Sequence, residues 1–169
     1  MNDALASWNG AGDDTAMEAM LACCGARRWA AAMVALRPVG SVAELDAAAD
    51  RVWSMMEEAD WLEAFACHPR IGQRTAVHAS AQSAAWSRHE QSSTHSAAES
   101  VLADLADGNA SYEHRFGFTY IVCAAGKSTE EMLEGLNRRM LNDRATELRE
   151  AAEQQRQITR IRLRKWLGE

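Results

Sequence analysis

The chain has 169 residues, with 18 Lys and Arg against 24 Asp and Glu, a net charge of −6 at pH 7. One domain spanning 1–169 is the expectation at that length, and the acidic balance argues against a dedicated nucleic-acid binder, whose affinity rests on neutralising phosphates. No apolar run approaches the roughly 20 residues a membrane helix needs.

The opening MNDALASWNG lacks the basic start and apolar core of a secretory signal. Cys23, Cys24, Cys67 and Cys123 form no CxxC pair and no zinc-ribbon spacing. Both features point to a reducing, cytoplasmic setting.

Ala, Met, Leu, Glu and Arg dominate, and β-branched runs are few, so an all-α fold is expected. Met17, Met20, Leu21 and Cys24 follow helical spacing until Gly25 interrupts. A second helix spans Arg27 to Leu36 and stops at Arg37-Pro38, because proline restricts its predecessor. Ser41-Val-Ala-Glu44 is a capping-box signal, with Val42, Leu45, Ala49, Val52 and Met56 on one stripe. Asp60 opens a short helix with Leu62, Phe65 and Ala66 inward, ended by Pro69. Arg70 to Ala81 shows no period and reads as a loop. Helical spacing returns at Trp86 to Gln91, then at Ala98, Val101, Leu102 and Leu105 until Gly108-Asn109.

Phe116 to Ala124 is aromatic and β-branched, but one strand makes no sheet. A buried extended segment within a helical protein is the reading. Ser128-Thr-Glu-Glu131 caps a helix carrying Met132, Leu133, Leu136 and Met140, and a last helix runs from about Asp143 to Trp166. Trp29, Trp53, Trp61 and Trp166 fall near apolar stripes and read as packing.

Gly126-Lys127-Ser128 resembles the tail of a phosphate-binding loop, but Ile121 stands where its first glycine belongs, leaving a turn and a helix cap. The histidines His68, His78, His89, His95 and His114 form no HxH, no i,i+4 pair and no HExxH, so no metal site is expected. His68-Pro69-Arg70-Ile71-Gly72 is more informative. A histidine at a helix C-terminus feels a dipole that favours the imidazolium, and a plain capping role is the alternative. Ser87, Glu90 and Gln91 share one helix side and could read a small polar substrate; the alternative is a solvated face. On the last helix Leu148, Ala151, Ala152, Ile158, Leu163 and Trp166 form an apolar arc that contains Arg162, while Arg149, Arg156, Arg160 and Arg164 lie beside or opposite it. A buried guanidinium needs an anionic partner, either a protein carboxylate or a ligand.

Cys24-Gly-Ala-Arg-Arg-Trp29, Arg37-Pro38, Trp61-Leu-Glu-Ala-Phe-Ala-Cys-His-Pro-Arg-Ile-Gly72, Ser87-x-x-Glu90-Gln91 and Arg115-Phe-Gly-Phe-Thr-Tyr-Ile-Val-Cys-Ala124 follow one another in order. With Asn142-Asp143, Glu147-Leu148 and Ile158 to Leu163, the chain resembles the OHCU (2-oxo-4-hydroxy-4-carboxy-5-ureidoimidazoline) decarboxylase family over nearly its whole length. The resemblance implies an all-α fold and a cofactor-free decarboxylation that yields (S)-allantoin in purine catabolism. It implies His68 as proton donor, aided by Glu90. Pro69, Ser87, Gln91, Tyr120, Ile121, Val122, Cys123 and Ala124 would line the substrate site, and Arg162 would bind substrate. Ala125 stands where some members carry Arg. The resemblance is compatible with a homodimer. Two other classes stay open: a metal-dependent ureide hydrolase using His68, His89 and Glu90, and a non-catalytic helical partner of purine enzymes.

Overall fold

The computed structural model describes residues 2–71, 81–90 and 99–169, which form nine helices and no strand. The helices group into two compact units, one of residues up to Ala64 with Arg156–Glu169, the other Phe65–Gln155. No described helix is long and apolar enough to cross a membrane.

The first unit holds α1 (Asp3–Gly10), α2 (Asp13–Cys23), α3 (Arg27–Ala35), α4 (Val42–Ser54), most of α5 (Glu58–Ala66) and the end of α9 (Arg144–Trp166). Helix α2 ends before Gly25, because Cys24 is already extended at φ −144°. Met20, Cys23 and Cys24 are sealed, whereas Met17 and Leu21 are only half-buried. Helix α3 stops at Ala35, ahead of a cis Arg37–Pro38 bond. Arg37 then donates to the carbonyls of Trp8 (2.7 Å) and Ala11 (2.8 Å), and to Asp13 at 2.6 Å. The two carbonyls lie at the C-terminal end of α1, so Arg37 caps that helix while pairing with the first turn of α2.

Ser41 caps α4 through the Glu44 N–H at 3.1 Å, but the Glu44 carboxylate accepts from Gly40 N–H rather than closing a box on Ser41. Helix α5 starts at Glu58, three residues earlier than a cap at Asp60 would place it. Asp60 accepts the Glu57 N–H at 2.9 Å, so it sits in the first turn and stabilises the start instead of being the cap. Ala64 and Phe65 face the core, Leu62 is half-buried and Ala66 is exposed.

The second unit contains α6 (Ala81–Glu90), α7 (Glu99–Phe116), α8 (Thr129–Arg139) and the first part of α9. Helix α7 runs straight through Gly108-Asn109, where a stop was expected. The glycine serves helix packing: a Cβ there would stand 3.0 Å from Leu136 Cδ2 of α8. Leu105, Asn109, Tyr112 and Phe116 form its buried stripe, and Gly117 ends it at φ +83°, a conformation that favours glycine. Phe116 is therefore helical, and the non-helical stretch runs over 117–128, with 119–124 free of turns and bends.

Tyr112 is the hub of this core, with ring centroids of Phe116, Phe118 and Tyr120 at 4.7, 5.8 and 5.2 Å. Under it lies a buried ion pair. Arg139 donates its Nε to Glu147 at 2.7 Å and its Nη1 to the Ile121 carbonyl at 2.7 Å. Glu147 also accepts from the Tyr112 hydroxyl and from Asn142 at 2.8 Å. Every lone-pair direction that matters is answered, which is what makes a fully buried carboxylate tolerable. Burial dominates at Tyr112 and keeps its phenol protonated well past the usual tyrosine range.

Candidate active site

His68 follows the last turn of α5, its N–H donating to the Phe65 carbonyl at 3.0 Å. Pro69, which is buried, has no N–H to continue the ladder, so the chain must leave there. The ring is half-buried, and its Nε2 lies 2.6 Å from Gln155 Oε1 of α9. Arg70 turns outward into a two-pronged pair with Glu113, the Nε bond being 2.7 Å. Gly72 lies outside the described residues.

Helix α6 buries Ser87. A solvated face is ruled out, because Ser83, Ala84 and Ser87 are 3%, 5% and 2% exposed. A helix that buries two hydroxyls in place of leucines presents a hydrogen-bonding wall. Glu90 is half-buried at its end and His89 is exposed. Gln91 lies outside the described residues. The Glu90 carboxylate acts on the Cys123 thiol, which is pushed up mainly by burial and opposed in part by Lys127. Ser87–Glu90 and the 120–124 segment therefore belong to one neighbourhood.

That segment is held from several sides. Tyr120 donates its hydroxyl to the Met132 carbonyl at 3.2 Å under the Arg139 guanidinium, 4.7 Å from its ring centroid. The Ile121 carbonyl is taken by Arg139, and the Cys123 N–H donates to Gln154 Oε1 at 2.8 Å. Gln154 in turn donates its amide N–H to Glu150 at 3.0 Å, so its oxygen is committed to Cys123. The Cys123 carbonyl accepts from Lys127 Nζ at 2.7 Å, and the Ala124 carbonyl from Lys127 N–H at 3.0 Å. Among the described residues nothing takes up the backbone N–H and C=O of half-buried Val122. The turn-and-cap reading of Gly126-Lys127-Ser128 holds, with Gly126 at φ +74° and a complete capping box between Ser128 and Glu131.

Arg162, in the first unit, is 1% exposed, as the arc required. Its charge opposes the burial that pushes the Cys23 thiol up to about 12. Leu148, Ala151, Ala152, Ile158 and Leu163 are buried too, but Trp166 is half-buried, edge-on to Trp8 at 6.0 Å. Arg164 does not face plain solvent: it pairs with Asp46, and with Glu169 at 2.5 Å. The sequence reading missed Glu147, Gln155 and Thr159, all buried on α9. Of these only Glu147 carried a signal, as a charge at the edge of the apolar arc that needs a partner once buried.

A family model described as OHCU decarboxylase matches residues 9–164. The chain is 36% identical over 144 residues to the "Uric acid degradation bifunctional protein TTL" of Arabidopsis thaliana, covering 85% of this chain but only 44% of that protein. It is 31% identical over 140 residues to the "2-oxo-4-hydroxy-4-carboxy-5-ureidoimidazoline decarboxylase" of Amia calva, covering 79% of this chain and 77% of the relative. Among solved structures it is similar to an OHCU decarboxylase crystallised in the presence of (S)-allantoin, with a TM-score of 0.77 at 31% identity, over 94% of this chain and all of the other. An (S)-allantoin synthase structure shares the fold at a TM-score of 0.71 and 16% identity, over 96% of this chain and 53% of that one. The all-α architecture, the His-Pro-Arg-Ile corner after α5 and the match across 9–164 agree: the chain belongs to the OHCU decarboxylase family.

Proposed function

We propose that this chain is a cofactor-independent carboxy-lyase that converts OHCU to (S)-allantoin and CO2 in urate catabolism, working as one OHCU decarboxylase-like domain. The observation that carries the reading is His68, fixed half-buried beyond α5 by Gln155 in the unit that also buries Ser87 and the 120–124 segment. The scissile carboxylate sits next to a C=N bond, so the electron pair left by CO2 delocalises into that bond without an added electron sink. His68 then delivers one proton to one face of the resulting carbon, and Glu90 favours the imidazolium that does so.

Arg162 anchors a carboxylate or carbonyl of the substrate by paired, charge-assisted hydrogen bonds. Pro69, Ser87, Gln91 and the backbone of Tyr120, Ile121, Val122, Cys123 and Ala124 line the ring and ureido groups. Val122 suits that role, since the Ile121 carbonyl and both backbone groups of Cys123 are already engaged. The four free thiols suit a reducing cytoplasm.

The test is freshly made OHCU, CO2 release and circular dichroism of the allantoin formed, with EDTA present to separate this chemistry from a metal-dependent hydrolase. His68→Asn should lower stereoselective decarboxylation by about 10²–10⁴-fold, the usual worth of a general acid, with the fold kept. Parent-like activity in that variant removes His68 from the mechanism. Activity lost to EDTA and restored by added metal favours the hydrolase.

A further inference from the structure

Adjacent glutamines on α9 grip two different parts of the candidate site. Gln154 takes the Cys123 N–H, and Gln155, 0% exposed, reaches the imidazole of His68 at 2.6 Å. Neighbouring helical residues point about 100° apart, so one rigid helix can set both elements. A fully buried amide is costly unless its hydrogen bonds are met, and the His68 contact meets one of them.

We propose that Gln155 is a positioning residue for His68, accepting a hydrogen bond from Nε2–H and thereby keeping the proton on that nitrogen. This rests on His68 being the proton donor. In the imidazolium both nitrogens carry protons. With Nε2–H committed to Gln155, the proton delivered leaves from Nδ1. The ring left behind is the neutral Nε2–H form, with its bond to Gln155 intact. No second proton moves, and the tautomer never has to be re-sorted between turnovers. The logic is that of a triad's orienting group, with a neutral amide in place of a carboxylate.

Two near-isosteric substitutions test it. Gln155→Met removes the acceptor and keeps the bulk, while Gln155→Glu keeps an acceptor oxygen at the same reach. Nitrogen-15 spectra of labelled histidine, taken with the ring neutral, read the tautomer of His68 directly and need no turnover. The parent and Gln155→Glu should show Nε2–H, and Gln155→Met should show a mixture of tautomers. In kinetics Gln155→Met should lose about ten- to a hundredfold in kcat with KM changed less than threefold, and Gln155→Glu should recover most of that loss. A parent ring with its proton on Nδ1, or a tautomer unchanged in Gln155→Met, overturns the proposal. Should Gln155→Met not fold, the parent and Gln155→Glu spectra still decide it. A tautomer that shifts as expected while kcat stays put upholds the Gln155–His68 contact and defeats the donor role of His68 instead.

Discussion

Arg139→Met is the substitution that most directly probes how the 119–124 segment is held. The side chain is 7% exposed and its partner Glu147 is 0% exposed, so solvent cannot replace what the mutation removes. The parent guanidinium makes a 2.7 Å Nε bond to Glu147, a second contact to the same carboxylate at 2.6 Å, and the 2.7 Å bond to the Ile121 carbonyl. Methionine fills the channel and answers neither group. Breaking a buried pair by deleting one partner costs about 3–5 kcal/mol, because a carboxylate is stranded in the core. At about 2–4 °C per kcal/mol for a chain of this size, Tm should fall by about 6–20 °C.

The double variant Arg139→Met/Glu147→Gln isolates the cause. The glutamine carries no charge but still offers an oxygen to the Tyr112 hydroxyl and the Asn142 amide, which Glu147 serves in the parent. It should therefore be more stable than Arg139→Met alone by at least about 1 kcal/mol, the sign expected when the stranded charge is removed. Urea titration followed by far-ultraviolet circular dichroism measures all of the variants. A single-variant loss below about 1 kcal/mol, or a double variant that simply sums the two single losses, refutes the reading of Arg139 as a buried, energetically coupled clamp.

Two further outcomes are expected. Arg162→Lys should fold normally yet lose about ten- to a hundredfold in kcat/KM, since lysine lacks the planar fork and a charged hydrogen bond is worth about 1.5–3 kcal/mol. The exposed Arg160→Lys is the control, because Arg164 pairs with Asp46 and Glu169; a lowered Tm with kcat/KM spared makes Arg162 a structural ion-pair partner. Burial raises the Cys23 thiol from 9.0 to about 12, so the unfolded chain loses its proton first as pH rises. Stability is full below pH 9 and declines between 9 and 12, by up to about 4 kcal/mol. Cys23→Ala should flatten that alkaline decline in urea titrations run at successive pH values, and an unchanged slope excludes the thiol as its source.

What could be read from the sequence, and what could not, divides along the range of the interaction involved. Helix existence, the Ser41 and Ser128 caps, the turn at Gly126 and the inward direction of Arg162 follow from neighbours within a turn or two, and all are present. The errors arose where a distant partner decides. Gly108 looks like a terminator until Leu136 of α8 is packed against it, and Ser87 sits on an apparently polar face until that face is buried. Arg139 is one of many arginines in the sequence, and only the fold brings it between Glu147 and Ile121.

Gln154 and Gln155 are harder still, for a physical reason. A charge in an apolar arc announces a required partner, because leaving it alone costs several kcal/mol. An amide costs less to bury and is equally at home on a solvated face, so its presence in a helix raises no such demand. Yet an amide is the better tool beside a proton donor: it orients an imidazole through its dipole without adding a second titrating charge. The residues that aim a site through neutral groups are thus the ones a pattern search passes over, and on α9 Gln155 stands in the same buried arc as Arg162, whose charge announced it.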